Sequence, residues 1–405
     1  MPWRALLDGD LKKQALRAID DIERDLKPDV ISGSSLSAGH SGLALFFTYR
    51  SMMEGQESAA HRADHHLDSA LDSANDESSS ALGLHTGLCG VAWTMRHVEQ
   101  VLHGTDGADL TEDLDAAVVD TLRAKSWEWQ LDLVYGLAGI GCYLLDHPDV
   151  GFADDMLSEC CRFLTVAAEM DARGVRWRTH PQHMSEENAA RYPEGVLDLG
   201  VAHGTPGVIG FLGRAYSERG ISEARALRDG AASWLRGVCE EDPLTGLGYF
   251  AGARAKARSA WCYGNPGVAA ALMTAFDGAG PGTVQDWALA MALEAARRPS
   301  AESGVVDATL CHGAAGLGHI YNRLSQVTGS VELAEAARFW FAKTLSMRQQ
   351  GKGCGGYLNW WPEAAKWGTD AGFLVGASGI GLTLLAAVSD REPAWDRLLL
   401  LPRLG

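Results

Sequence analysis

Two apolar patterns alternate along the chain. In the first, apolar residues recur every three or four positions with charges between them. LKKQALRAIDDIERDL, ADHHLDSALDSA, DLDAAVVDTLRAK and DMLSECCRFLTVAAEM are of this kind, as are EARALRDGAASWLRGVCEE, QDWALAMALEAARR and VELAEAARFWFAKTLSM. That spacing predicts helices with one wet face. The second pattern is apolar all round, as in SGLALFFTY, GVIGFLGRAY, GVAAALMTAF and GIGLTLLAA. Such stretches predict helices buried on every side. Each is preceded by a G-x-x-G unit, and seven units so placed before an apolar run have first glycines at Gly39, Gly87, Gly136, Gly204, Gly264, Gly313 and Gly376. The intervals are 48, 49, 68, 60, 49 and 63 residues. This is an internal repeat with insertions in three intervals.

Each repeat therefore reads as an outer amphipathic helix, a glycine turn and an inner buried helix. A repeat array must cap its ends or close on itself. Neither end reads as a polar cap. The expected fold is an all-α, α/α toroid of seven helix pairs, with inner and outer rings. The glycines let the chain turn tightly and the inner helices crowd together. The long intervals hold polar stretches: RGVRWRTHPQHMSEENAARYPEGVLDLG, TGLGYFAGARAKARSAW and QGKGCGGYLNWWPEAAKWGTDAG. Each leads into a glycine turn, so these loops are expected at the mouth of the ring. Loops of that kind carry function.

Composition narrows the class. The chain has 405 residues, 46% of them hydrophobic, enough for a large core. Its net charge of −17 argues against nucleic acid as a partner and weakens the case for an anionic membrane surface. No apolar run is long enough to span a bilayer, and the N-terminus lacks the pattern of a signal peptide. The cysteines at 89, 142, 160, 161, 239, 262, 311 and 354 scatter through helical segments. A cytoplasmic protein with free thiols is the expectation.

Candidate chemistry is concentrated in repeats four to six. Cys262 and Tyr263 stand immediately before one glycine turn, and Cys311 and His312 immediately before the next. His203 precedes the fourth turn, and Asp132 lies four residues before the third. In a closed ring, equivalent positions of adjacent repeats become neighbours. Two cysteines and a histidine meeting there form a three-ligand zinc set with an open fourth position, the arrangement of a catalytic site. Soft sulfur ligands favour zinc over magnesium or calcium.

Trp261-Cys262-Tyr263-Gly264-Asn265-Pro266-Gly267, together with Leu310-Cys311-His312-Gly313-Ala314-Ala315-Gly316, resembles the paired signature of the lanthipeptide cyclases, the lanthionine synthetase C (LanC) family. Ala202-His203-Gly204-Thr205-Pro206-Gly207 is similar to the family's third motif. The resemblance covers nearly the whole chain, with residues 1–405 read as a single LanC-like domain. It implies a zinc held by Cys262, Cys311 and His312, and further active-site residues at His203, Tyr263, Arg258 and Asp132. It implies a reaction in which peptide cysteine thiols add to dehydroalanine or dehydrobutyrine, closing lanthionine or methyllanthionine rings. The partner is then a dehydrated precursor peptide. No dehydratase region precedes the first helix, so a separate dehydratase is expected.

The residue types suit that chemistry. Coordination turns a thiol into a thiolate. Addition leaves an enolate that must be protonated, and His203 is the expected general acid. Arg258 reads as a charge partner for the enolate or for Asp132, or as a surface cation in the run Arg254, Lys256, Arg258. Asp132 orients His203 or caps a helix. Tyr263 bonds near the metal or packs at the turn. His61, His65 and His66 read as solvated, His40 and His85 as possible mouth residues, and His319 as a satisfied core histidine. Tyr357, Trp360, Trp361 and Trp367 read as a peptide contact or a packed loop anchor. Competing readings are a LanC-like enzyme adding glutathione or another small thiol to dehydrated residues, and a zinc-stabilised binding scaffold without turnover. A toroidal glycosidase would need paired carboxylates, and only Asp132 is so placed.

Overall fold

A computed structural model describes residues 2–76, 81–105, 107, 111–241, 247–252, 257–280, 282–362 and 364–404. Arg254 and Lys256 lie outside the described residues. Seven helices follow the glycine turns: α2 (His40–Ser51), α4 (Leu88–Val98), α6 (Leu137–Leu145), α9 (Thr205–Arg219), α11 (Asn265–Ala275), α13 (Ala314–Thr328) and α15 (Ala377–Val388). Every inner helix packs on the next, and α15 packs on α2, so the ring closes. The outer helices are α1 (Gly9–Asp25), α3 (Ser58–Asp76), α5 (Glu112–Leu122), α7 (Val150–Val166), α10 (Ser222–Glu241), α12 (Val284–Arg297) and α14 (Val331–Ser346). A short helix α8 (Glu186–Arg191) lies in the longest interval. The inner helices are buried almost throughout, whereas in α7 or α14 the buried residues recur at three- and four-residue steps.

The pairing runs in the opposite sense to the sequence reading. Every inner helix except α4 packs mainly on the outer helix that follows it, with α1 packing on α15, while α4 lies more against α3 than against α5. The chain therefore starts with the outer helix of its last pair. Leu6 and Leu7 N–H groups bond to Ala387 O, and Trp3 Nε1 donates to Ala386 O, tying the start of the chain to the end of the ring.

Two local departures have clear causes. The apolar run predicted to stay helical to Met170 ends at Val166, where Trp177 Nε1 takes the Leu164 carbonyl. Glu169–Asp171 (β1) then pairs antiparallel with Gly174–Arg176 (β2). A second hairpin, Asn359–Trp361 (β3) with Lys366–Gly368 (β4), lies in the last long loop. His66 is buried rather than solvated, with its Nδ1 3.0 Å from His40 Nδ1 and its ring stacked on Phe47. His40 thus faces its outer helix.

The C-terminal segment fills the inside of the ring, a role the periodicity did not reveal. Trp395 and Leu398–Leu401 are buried. Tyr49 Oη accepts from the Ala394 and Trp395 N–H groups, Trp261 Nε1 donates to Leu399 O, and Thr274 Oγ1 donates to Leu400 O. His85 Nε2 lies 3.2 Å from Leu398 O, below the turns. His319 is a buried core histidine, bonded to Asp396, which also binds Arg323. Among the described residues no helix is long and apolar enough to cross a membrane.

Candidate metal centre

The mouth is built by one backbone device used seven times. The residue two positions before each first glycine lies on a belt of hydrogen bonds running around the ring. Ser37 N bonds to His85 O, His85 N to Val134 O, and Leu133 N to Ala202 O. Ala202 N bonds to Cys262 O, Cys262 N to Cys311 O, Cys311 N to Leu374 O, and Leu374 N back to Ser37 O. The belt explains how cysteines 49 residues apart meet: they occupy the same register in adjacent turns. Glycine is required because of how closely the backbone folds back. A Cβ on Gly267 would overlap Trp261 O, and one on Gly316 would overlap Leu310 O. Gly264 adds a φ of +91°, a conformation that L side chains avoid.

Register then distributes the side chains. Two positions before the glycines stand Val134, Ala202, Cys262 and Cys311 in successive repeats. One position before stand Tyr135, His203, Tyr263 and His312. The ligand atoms of Cys262, Cys311 and His312 all lie within 4.8 Å of one another. Cys262 is buried; Cys311 and His312 are partly exposed. The hydrogen bond from Cys311, helped by the bond and charge of His312 and the charge of Arg258, outweighs burial and pushes the Cys262 thiol well below its ordinary value. Cys311, hydrogen-bonded to that thiolate and buried, is pushed up. Two sulfurs and an imidazole converging in this way can hold a soft divalent metal.

His203 stands beside this cluster. Its Nδ1 lies 2.8 Å from Asp132 Oδ2, and its ring stacks on Tyr135 with centroids 5.4 Å apart. Burial disfavours the charged ring, but the bond and charge of Asp132, with Asp198 and Cys262 behind, outweigh it and raise the pKa. Asp132 Oδ1 also accepts from Tyr135 N, so this carboxylate both orients His203 and caps its turn. Tyr263 donates to Asp198 Oδ2 at 2.8 Å. Arg258 is half-buried, its Nε has no partner, and it makes no ion pair with Asp132 among the described residues.

Three residues that matter here escaped the sequence reading. Asp198 is buried, and burial pushes its pKa up to about 6. Asp307 Oδ2 lies 3.8 Å from His312 Nε2 and accepts from Trp360 N, which brings the β3–β4 hairpin to the site. Tyr135 is the exposed stacking partner of His203. A register signal existed for the two carboxylates. Asp198, Asp307 and Asp370 all stand six residues before a first glycine, and each accepts a backbone N–H two residues on. Arg258 occupies the same register. In the last loop Tyr357 is buried and Trp360 meets Trp367 edge-on, a packed anchor with Trp367 half-exposed. A cavity of about 150 Å³ opens beside His203 and Asp132, walled by Trp127, Trp129, Trp177 and His183.

A family model described as lanthionine synthetase C-like protein matches residues 19–400. Nisin biosynthesis protein NisC of Lactococcus lactis subsp. lactis is 24% identical over 214 residues, 46% of this chain and 49% of that protein. The match thus spans about half the length of that curated relative. A solved nisin cyclase superposes with a TM-score of 0.71 over 97% of this chain and 98% of its own, at 19% identity. That likeness is one of fold.

Proposed function

The chain belongs to the lanthionine synthetase C-like family, and we propose that its mouth closes thioether rings in a dehydrated peptide. The observation that carries this reading is the convergence of the Cys262, Cys311 and His312 ligand atoms within 4.8 Å, beside an Asp132-held His203. These three residues would hold zinc. Bound there, zinc would supply the Lewis acidity that keeps a cysteine thiol ionised at neutral pH. Addition of a peptide thiolate to the β-carbon of dehydroalanine or dehydrobutyrine forms the C–S bond and shifts the alkene electron pair toward the adjacent carbonyl. Arg258, held near both sulfurs without a carboxylate partner among the described residues, offsets that developing charge. His203 then delivers a proton to the α-carbon from Nε2, because Asp132 occupies Nδ1. Tyr263, committed to Asp198, positions the turn rather than the metal. The dehydrated residues would come from a separate dehydratase, with both proteins in the cytoplasm.

Metal analysis with a thiol-capping time course on a dehydrated peptide tests this. Wild-type protein should carry one zinc per chain and consume peptide thiols faster than the enzyme-free rate. The Cys262→Ala, Cys311→Ala variant should lose both. Unchanged zinc in that variant overturns the site. Capture of added glutathione in place of ring closure would move the reaction to intermolecular thiol addition.

A further inference from the structure

A second cavity lies at the far end of the ring, where the inner helices end. It measures about 450 Å³ and is walled by Trp93, Arg96, His97, Tyr143, Arg219, Arg397 and Arg403, with Asp146 and Glu218. Its guanidinium groups are not evenly matched. Arg219 is satisfied by Asp154 and by the Val150 and Leu145 carbonyls. Among the described residues, however, Arg214, Arg397 and Arg403 share Asp146 and Glu218: three cations on two carboxylates. Asp146 also takes Trp93 Nε1. Arg96 is 7% exposed, and its Nη2 is bound by Thr111 and Asp115. Asp115 also accepts from Tyr143 and pairs with His147. Among the described residues the buried Arg96 Nε and Nη1 atoms have no hydrogen-bond partner, and the guanidinium lies over the Tyr143 ring, 5.2 Å from its centroid.

We infer that this cavity binds a small polyanion bearing phosphoryl groups, of about the size of a diphosphate. Among the described residues one positive charge is in excess in these groups, in a chain whose net charge is −17. A buried donor without a partner is costly, and here two belong to one charged group. Arg96 of α4 and Arg397 and Arg403 of the C-terminal segment wall a single space, which suits oxygens spread about a tetrahedral centre. The volume exceeds what one orthophosphate needs. Burial and the neighbouring Arg214 and Arg397 push the Arg403 guanidinium below its ordinary value, even with Glu218 and Asp146 beside it. Because Arg397 and Arg403 belong to the C-terminal segment, the ligand would clamp that segment to α4. The inference is independent of the chemistry at the mouth.

Calorimetric titration of the whole chain with sodium pyrophosphate tests it, with orthophosphate and citrate alongside. Pyrophosphate should bind one per chain, more tightly than either comparison anion and more weakly as salt rises. Arg96→Met and Arg403→Met should each weaken it by roughly tenfold or more, the loss of charged hydrogen bonds. The Cys262→Ala, Cys311→Ala variant should bind as wild type does, which separates this site from chelation at the mouth. Arg403, a third exposed, carries the test should Arg96→Met fail to fold. No binding at millimolar pyrophosphate, citrate binding more tightly, unchanged affinity in Arg403→Met, or loss of binding in the cysteine variant overturns the inference.

Discussion

At the scale of the residue, the proposed reaction would divide metal holding from proton delivery. His203 and His312 occupy the same register in different repeats, yet only His312 joins the two sulfurs. His203→Asn should keep zinc and slow ring closure roughly 10²–10⁴-fold. His312→Asn should lose zinc and cyclisation together. Zinc content and a capping time course on each variant decide this, and loss of zinc from His203→Asn would make His203 a ligand. Asp132 gives a sharper check. Its bond and charge raise the His203 pKa. Asp132→Asn removes that support, so the ring loses its proton at lower pH. The alkaline limb of the rate profile should then move to lower pH; an unmoved limb would mean that His203 is not the acid.

At the scale of the element, the glycine turn is a packing requirement before it is a flexibility device. Six of the seven first glycines have extended φ values, which any residue could adopt. What excludes a side chain is backbone lying against the Cα, a carbonyl oxygen at most of these glycines and an amide nitrogen at Gly313 and Gly376. Gly316→Ala should therefore cost about 2–4 kcal/mol, as an overpacked core site does. Gly280→Ala, where a Cβ meets nothing within 4 Å, should stay within about 0.5 kcal/mol. Urea denaturation of the two variants tests the contrast, and equal midpoints would refute it. The same turn sets the chemistry, since a shift of one residue would carry Cys311 off the belt and His312 into its place.

At the scale of the whole molecule, closure of the ring buries titratable groups that the outer helices alone could not. Burial lowers the pKa of His66 to about 3, and of His85 and His97 to about 4. A histidine kept neutral by the fold binds its proton more readily in the unfolded chain. Its contribution is whole above about pH 6.5 and is lost as pH falls toward the folded values. Each ring should cost on the order of 1–2 kcal/mol by pH 5. His203, whose pKa is raised, works in the opposite sense and is lost as pH rises. Denaturation of the Cys262→Ala, Cys311→Ala variant at pH 7 and pH 5 isolates the effect from metal release. Equal stability at the two values would contradict the burial of these rings.

The seven-fold glycine period and the two apolar patterns determined, without coordinates, an all-α closed ring and the neighbours of Cys262. This was possible because a repeat converts a fixed sequence interval into a fixed spatial step. Register also placed Cys311, His312 and His203 at one mouth. Only the tertiary structure decided which outer helix each inner helix packs on, because both flanking helices carry the same apolar stripe. It alone showed that His66 is buried, since a histidine on an amphipathic helix has no pattern of its own. It alone bound Tyr263 to Asp198 and brought Asp307 to His312, because those pairs cross between repeats. The C-terminal segment was beyond the periodicity for the same reason. Its Trp395 and Leu398–Leu401 belong to no repeat, and their burial depends on a hollow that exists only once the ring has closed.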